Sequence, residues 1–420
     1  MVVPPFFKNE RIVNPSIGKL IKQLKNKDLR VRREAIVKLI ECGAAGETSL
    51  IAALKHKSGR VRIGVASVLG GIEVAAAIPA LAKAVRDKKP RVRRAAIRAI
   101  GDIGSNPDKS VSVLLKALKD DVWSVRCEAA EALGRFGPAA KVAVPAMLKY
   151  LDSKKNKLRY ACACGLAEIG GRKTRGAIPV LIEMLRSQND EKECLALEAL
   201  SRFGRHASDA VPTLVKLLDT PDDDLRLSVV ECIYWIGPGA KDAVPAVASL
   251  VQKFSEEDEF FAWQALDTLG RIGRKAAAAV PVLIEMLAVE GLRDHVVMAL
   301  EKIGPAASEA VPALHEFLKK EFSAVIVHAL GEIGPAAADS LPTVLQAVDR
   351  EIGSDKITAA IAASKIGGPA ASSVIPVLAQ AIESGDEAER RAVVAAINNF
   401  AYDDSVKELL KAIPRSKESE

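Results

Sequence analysis

The residues best suited to chemistry in this chain are basic. The stretch KKPRVRRAAIRAIG (88–101) places Lys88, Lys89, Arg91, Arg93, Arg94 and Arg98 within eleven positions. Ammonium and guanidinium groups at that density attract anions, and each phosphate they neutralise releases counterions. Related clusters are KNKDLR (25–30), KHKSGR with Lys55, Lys57 and Arg60, and SKKNK with Lys154 and Lys155. Other reactive types are sparse. His56, His206, His295, His315 and His328 lie far apart, and none has H-x-x-x-H spacing. Six cysteines (Cys42, Cys127, Cys162, Cys164, Cys194, Cys232) form no C-x-x-C pair, so they read as reduced packing residues. GLAEIGGRKT (165–174) imitates a phosphate-binding loop, but two residues separate Gly170 from Lys173, and the motif needs them adjacent. There is no nucleophile elbow, zinc-protease helix or paired-carboxylate motif. No catalytic residue, metal or cofactor is implied.

The elements that position these residues recur. ALGRFGPAAKVAVPAML (132–148), YWIGPGAKDAVPAVASL (234–250), EKIGPAASEAVPALHEFL (301–318) and GEIGPAAADSLPTVLQAV (331–348) are variants of one phrase. The aligned glycine is Gly43, Gly104, Gly137, Gly170, Gly204, Gly237, Gly273, Gly304, Gly334 and Gly367, with Glu73 and Phe400 in its place in two degenerate copies. Eleven steps from 43 to 400 give a period of about 32 residues, which means a repeat array. A segment such as AVPAMLKYL has helical apolar spacing and a proline in its first turn. A polar turn follows, then a second helix of the form VRxxAAxALGxIG, closed by glycine as a C-cap. Neither helix can hide its apolar face alone, so neighbouring units must stack.

With these phrases the chain resembles the HEAT-repeat family, in its short form of roughly 30 residues found in phycobilisome-lyase-type proteins. The resemblance implies an all-α solenoid, a right-handed superhelix of about twelve helix-turn-helix repeats. It runs over 15–413 with a closing helix DDSVKELLKAI, an extension at 1–14 and a tail at 414–420. It also implies a ladder of polar contacts made by an arginine early in each second helix: Arg32, Arg62, Arg93, Arg126, Arg159, Arg226 and Arg293, eleven residues before the glycine. Arg93 is then scaffold, and Lys88, Lys89, Arg91, Arg94 and Arg98 remain as an anion-binding candidate with the basic turns.

Charge is unevenly distributed. Residues 1–175 hold 36 Lys and Arg against 15 Asp and Glu, a net of +21, whereas the remainder holds 24 against 38, a net of −14. The early turns form a basic strip and later ones, DTPDDD (219–224) and SEEDE (255–259), are acidic. Aromatics cluster differently, with Tyr234, Trp235, Phe254, Phe260, Phe261 and Trp263 within thirty residues. Trp235 stands two residues before Gly237, where ten of the twelve repeats carry a polar or charged residue. Glu131, Glu198, Glu231 and Asp267 stand four residues earlier on the same face and surround it with negative charge. In HEAT arrays the second helix generally lines the concave side, so the resemblance places Tyr234, Trp235, Trp263, Glu198, Glu231 and Asp267 in a groove suited to a basic peptide. The competing account is that the rings fill a packing irregularity in the eighth repeat, where the step from Gly237 to Gly273 is 36 residues.

The expected function is therefore a non-enzymatic scaffold or adaptor with a protein or peptide partner. Nucleic-acid binding by the basic half is second and head-to-tail self-association is third. A HEAT-like enzyme is the remaining reading: DNA glycosylases of this repeat type use tryptophans and an aspartate, faintly echoed by Trp123 with Asp120 and Asp121. Bilin lyase subunits also share the repeat. No apolar run reaches the length of a membrane helix, and no secretory signal opens the chain. The expected compartment is the cytoplasm.

Overall fold

The structure, a computed structural model, describes residues 17–384 and 387–398. These form twenty-four α-helices joined by turns and 3-10 segments, with no strand among the described residues. The helices pair into twelve repeats of a first and a second helix. The expected closing helix DDSVKELLKAI and Phe400 lie outside the described residues.

Two compact units divide between Arg202 and Phe203, at the junction where the sixth second helix meets Gly204. In the first unit the second helices are Leu29–Glu41, Gly59–Gly71, Pro90–Ile103, Trp123–Arg135, Asn156–Ile169 and Asp190–Phe203. In the second unit they are Asp223–Ile236, Glu259–Ile272, Arg293–Ile303, Ala324–Ile333, Gly353–Ile366 and Glu387–Asn398.

Each second helix ends for the same reason. All ten aligned glycines adopt positive φ, from +51° to +79°, a region that costs a side-chain-bearing residue about 1–2 kcal/mol. Glu73, which replaces the glycine in the second copy, adopts φ +54° nonetheless, so the stop is imposed by the packed repeat. Four residues before each of these positions sits a core residue such as Ile100, Leu133, Ile233 or Leu330, fully buried, which anchors the last turn.

The glycine does not lead directly into the first helix of the next repeat. In most repeats a 3-10 segment intervenes, as in Gly137–Ala143, where the α-helix starts only at Val144, whereas Gly104 is followed by the helix Pro107–Ala117 without one. The proline sits in that first α-turn, where its missing N–H costs little. First helices are accordingly short: Val144–Leu148 has 5 residues and Val211–Leu217 has 7. The long eighth repeat spends its extra residues on an 11-residue first helix, Val244–Phe254.

Within each unit, successive second helices approach closely through small residues. A Cβ built on Gly70 would lie 2.9 Å from Ala99 Cα, one on Gly134 2.9 Å from Gly165 Cα, and one on Gly331 2.8 Å from Ala362 Cα. Such contacts leave no room for a methyl group.

Candidate functional site

Each arginine of the expected ladder turns back onto the turn before its own helix. Arg32 Nη1 donates to the carbonyls of Asn26 (2.9 Å) and Lys27 (2.8 Å), and Arg126 Nη1 to those of Asp120 (2.6 Å) and Asp121 (3.1 Å). Arg226 donates to Leu218 and Thr220, and Arg293 Nε to Leu287 O at 3.0 Å. Three arginines also reach a carboxylate of the following repeat: Arg62 to Asp87 (2.7 Å), Arg93 to Asp120 (2.7 Å) and Arg159 to Glu183 (2.7 Å). Burial works against the Asp87 carboxylate, but the Arg62 guanidinium and the Lys89 N–H outweigh it and hold its pKa below the usual value. Asp120 pairs with Arg93 at 2.7 Å and accepts from the Val122 N–H at 2.9 Å.

The basic stretch separates into two populations. Lys88 and Lys89, like Lys55, Lys57, Lys154 and Lys155, are exposed on the inter-helix turns. Arg94 and Arg98, two more of the expected anion-binding residues of the stretch, are already engaged by a carboxylate. Both converge on Glu128 of the next second helix, at 3.2 Å and 2.7 Å. Glu128 is only 2 % exposed, beneath these two guanidiniums.

Along the exposed face near the end of the second helices, opposite charges pair either within one helix or with the neighbouring repeat. In the first unit Arg135 meets Asp102 at 3.3 Å, and Arg202 meets Glu198 at 2.9 Å. Burial pushes the carboxyls of Asp102 and Glu168 up, against the pull of Arg135 on both. In the second unit Lys302 meets Asp267 at 2.5 Å, Lys365 pairs with Glu332, and His328 Nδ1 meets Glu301 at 3.2 Å. Of the four expected surrounding carboxylates, Glu198 is paired within the first unit and Asp267 within the second.

The aromatic candidates resolve into two places. Trp235 is 48 % exposed, packs edge-on against Tyr234 at 5.4 Å, and its Nε1 reaches Glu231 only at the long limit of 3.5 Å. Arg271 lies over the Tyr234 ring at 5.5 Å, and Tyr234 lines a depression with Arg271, Arg274, Lys275 and Lys302. Trp263 belongs to a different groove of about 340 Å³, formed with Phe260, Asp267, His295, Met298 and Lys302. Phe254 and Phe261 fill the irregularity instead, with their ring centroids 4.8 Å apart and Phe261 buried.

The Trp263 groove holds residues that sequence reasoning passed over. Phe260 is 55 % exposed and Met298 is 44 % exposed. The His295 ring stacks on Trp263 at 4.7 Å, nearly parallel. Both Trp263 Nε1 and His295 Nδ1 are shut off from solvent with no hydrogen-bond partner among the described residues. Unpaired buried polar atoms typically cost about 1–3 kcal/mol each. His295 and Met298 lie about one repeat after Trp263, and that spacing was the available signal.

The nucleophilic and loop candidates are structural. Burial pushes the thiols of Cys127 to about 11 and of Cys162 and Cys164 to about 12, whereas Cys194 is exposed, a departure from its expected packing role. In GLAEIGGRKT both Gly170 (φ +69°) and Gly171 (φ +93°) follow the C-terminus of a helix, the wrong end to present N–H groups to a phosphate. No group of three or more metal-ligating side chains clusters among the described residues, and no helix there is long and apolar enough to cross a membrane.

Comparisons with known proteins agree on the architecture. The model of the HEAT repeats family matches residues 47–124, 111–201 and 178–258. No curated protein matches the chain by sequence. A solved engineered protein is 23 % identical, with 92 % of this chain and 98 % of that one covered at a TM-score of 0.50. Kap95p, solved with RanGDP, is 13 % identical with a TM-score of 0.56, and the match covers 91 % of this chain but 62 % of Kap95p. Kap121p bound to Nup53p is 15 % identical, covering 95 % and 50 %, with a TM-score of 0.47.

Proposed function

The chain belongs to the HEAT-repeat family, and from that premise we propose that it is a non-enzymatic scaffold that binds a protein segment on the exposed face of its second helices. The observation that carries this reading is the groove of Phe260, Trp263, His295 and Met298. It combines the exposed Phe260 ring and Met298 thioether with the half-buried Trp263–His295 stack, one nitrogen of each ring being unsatisfied. Tryptophan is among the residues that most often dominate binding energy when they sit in a pocket. The groove is shallow and apolar-centred, with the Asp267–Lys302 pair on its rim, and an extended segment placing one apolar or aromatic side chain between Phe260 and Met298 fits that description. Kap95p, similar to this chain in fold, binds RanGDP, which is the kind of use the reading assigns.

A random-peptide display selection tests it, run against the wild type with counter-selection on Phe260→Ala/Trp263→Ala. The reading expects enriched peptides with a shared apolar anchor. Recovery of no peptide that discriminates the two proteins contradicts it.

Nucleic-acid binding remains the second reading, on the strength of exposed Lys55, Lys57, Lys88, Lys154 and Lys155 along the turns of the first unit. Salt separates the two, because phosphate contacts weaken steeply with ionic strength and an aromatic anchor weakens little.

A further inference from the structure

A second groove, of about 560 Å³, lies in the first unit, across the second helices Leu29–Glu41, Gly59–Gly71 and Pro90–Ile103. Its floor is aliphatic: Leu24, Leu29, Ile36, Ile63 and Ala95. Its walls carry Arg33, Arg60, Arg91, Arg94 and Arg98, against one carboxylate, Glu128. We propose that this groove docks an acidic, leucine-rich segment of a partner protein.

Three observations favour that occupant. First, Glu128 accepts from Nε and Nη2 of both Arg94 and Arg98, which fixes the two guanidiniums and leaves Nη1 of each for another acceptor. Guanidinium forks held in this way match a carboxylate bidentately and cost little further ordering. Second, Arg33, Arg60 and Arg91 form no ion pair among the described residues, although each is exposed and a carboxylate partner is available to the other arginines nearby. With Arg32, which also lines it, six arginines against one carboxylate leave the groove strongly cationic. Third, the floor is apolar and holds no aromatic ring. Single-stranded nucleic acid is normally held by base stacking on aromatic side chains, which this floor does not offer. Leucine-like side chains three or four residues apart, alternating with Glu or Asp, satisfy floor and walls together.

The site is distinct from the Trp263 groove, so either can fail without the other. It also differs from the lysine-bearing turns, which lie on the inter-helix edge.

The test is fluorescence anisotropy with the full chain and labelled probes: a 20-residue helical peptide of Glu and Leu at i, i+3 and i+4 spacing, the same peptide with Leu changed to Ser, and a 20-base-pair DNA duplex. Variants are Arg33→Glu/Arg60→Glu/Arg91→Glu, whose side chains hold no fold contact by ion pairing, and Lys55→Glu/Lys57→Glu/Lys88→Glu. The proposal expects the Glu/Leu peptide to bind tightest, with a loss of at least about thirtyfold in the arginine variant and less than about threefold in the lysine variant. Circular dichroism of the arginine variant equal to wild type removes misfolding as an explanation, and Arg33→Lys/Arg60→Lys/Arg91→Lys serves in its place if it differs. Four results overturn the proposal: equal binding of the Ser peptide, tighter binding of the duplex, loss of binding in the lysine variant instead, or salt-sensitive self-association abolished by the arginine variant, which makes a second copy the occupant.

Discussion

Replacing Gly104 with alanine isolates the backbone cost of the stop that closes its own second helix. Gly104 has φ +62° and ψ −2°, and its N–H bonds Ile100 O at 3.3 Å to close the helix Pro90–Ile103. A Cβ built there meets nothing within 4 Å, so sterics with neighbours contribute nothing and only the backbone conformation is charged. That cost is about 1–2 kcal/mol, partly offset by the lower unfolded-state entropy of alanine, with a net loss of about 1 kcal/mol. The same reasoning runs backwards at Glu73, where φ is already +54°: Glu73→Gly releases the strain and gains about 0.5–1 kcal/mol. Gly134→Ala is the contrast. Its Cβ would sit 2.6 Å from Glu168 Oε2 and 2.9 Å from Gly165 Cα, so overpacking exceeds the helix-propensity gain and the loss is about 1–3 kcal/mol. Amide hydrogen exchange of the second helices reads these opening energies locally, without assuming that the array unfolds in one step. A stabilised Gly104→Ala, or a destabilised Glu73→Gly, refutes the argument.

Other predictions follow from the same contacts. Arg62→Met breaks a pair whose side chains are 9 % and 12 % exposed, and costs about 2–4 kcal/mol by leaving the Asp87 carboxylate with the Lys89 N–H but no cation paired with it; urea denaturation of that variant beside Arg32→Met, whose arginine has no carboxylate partner among the described residues, checks it. Cys194 is the only cysteine classed as exposed, so Ellman's reagent labels it in the native protein well before Cys127, Cys162 and Cys164, whose thiolates burial disfavours. The hydrogen bond to Glu301 raises the His328 pKa, so its stabilisation is full below the unfolded value of about 6.5 and fades as pH rises through the folded value. The stability gap between wild type and His328→Gln therefore shrinks from pH 6 to pH 8, and a gap that widens over that range contradicts the assignment.

The repeat was legible because its punctuation is chemical. Ten glycines at one register announce ten positive-φ stops, and the position is so constrained that Glu73 obeys it without being glycine. The arginine eleven residues earlier was legible for the same reason, since its task is to satisfy carbonyls of its own turn. What stayed hidden were contacts between neighbouring copies. Arg94 and Arg98 looked unpaired because Glu128 follows 30 to 34 residues later, on another helix. Trp235 stood out because it broke a row, yet exposure in a row is set by each repeat's neighbours. The groove formed instead around Phe260 and Trp263, where the partner residues His295 and Met298 come from the following copy. The 3-10 segments were also missed, because G-P-A-A-x-x-A reads as the start of a helix unless the φ of its glycine is known.

The most direct measurement of the central claim is an anisotropy titration of a display-selected peptide, at 50 and 500 mM salt, on wild type, Trp263→Ala and Trp235→Ala. An anchor in the Trp263 groove predicts at least about tenfold weaker binding in Trp263→Ala, little change in Trp235→Ala, and a shift of less than about threefold between the two salts. Binding that survives Trp263→Ala, or that collapses with salt, contradicts it.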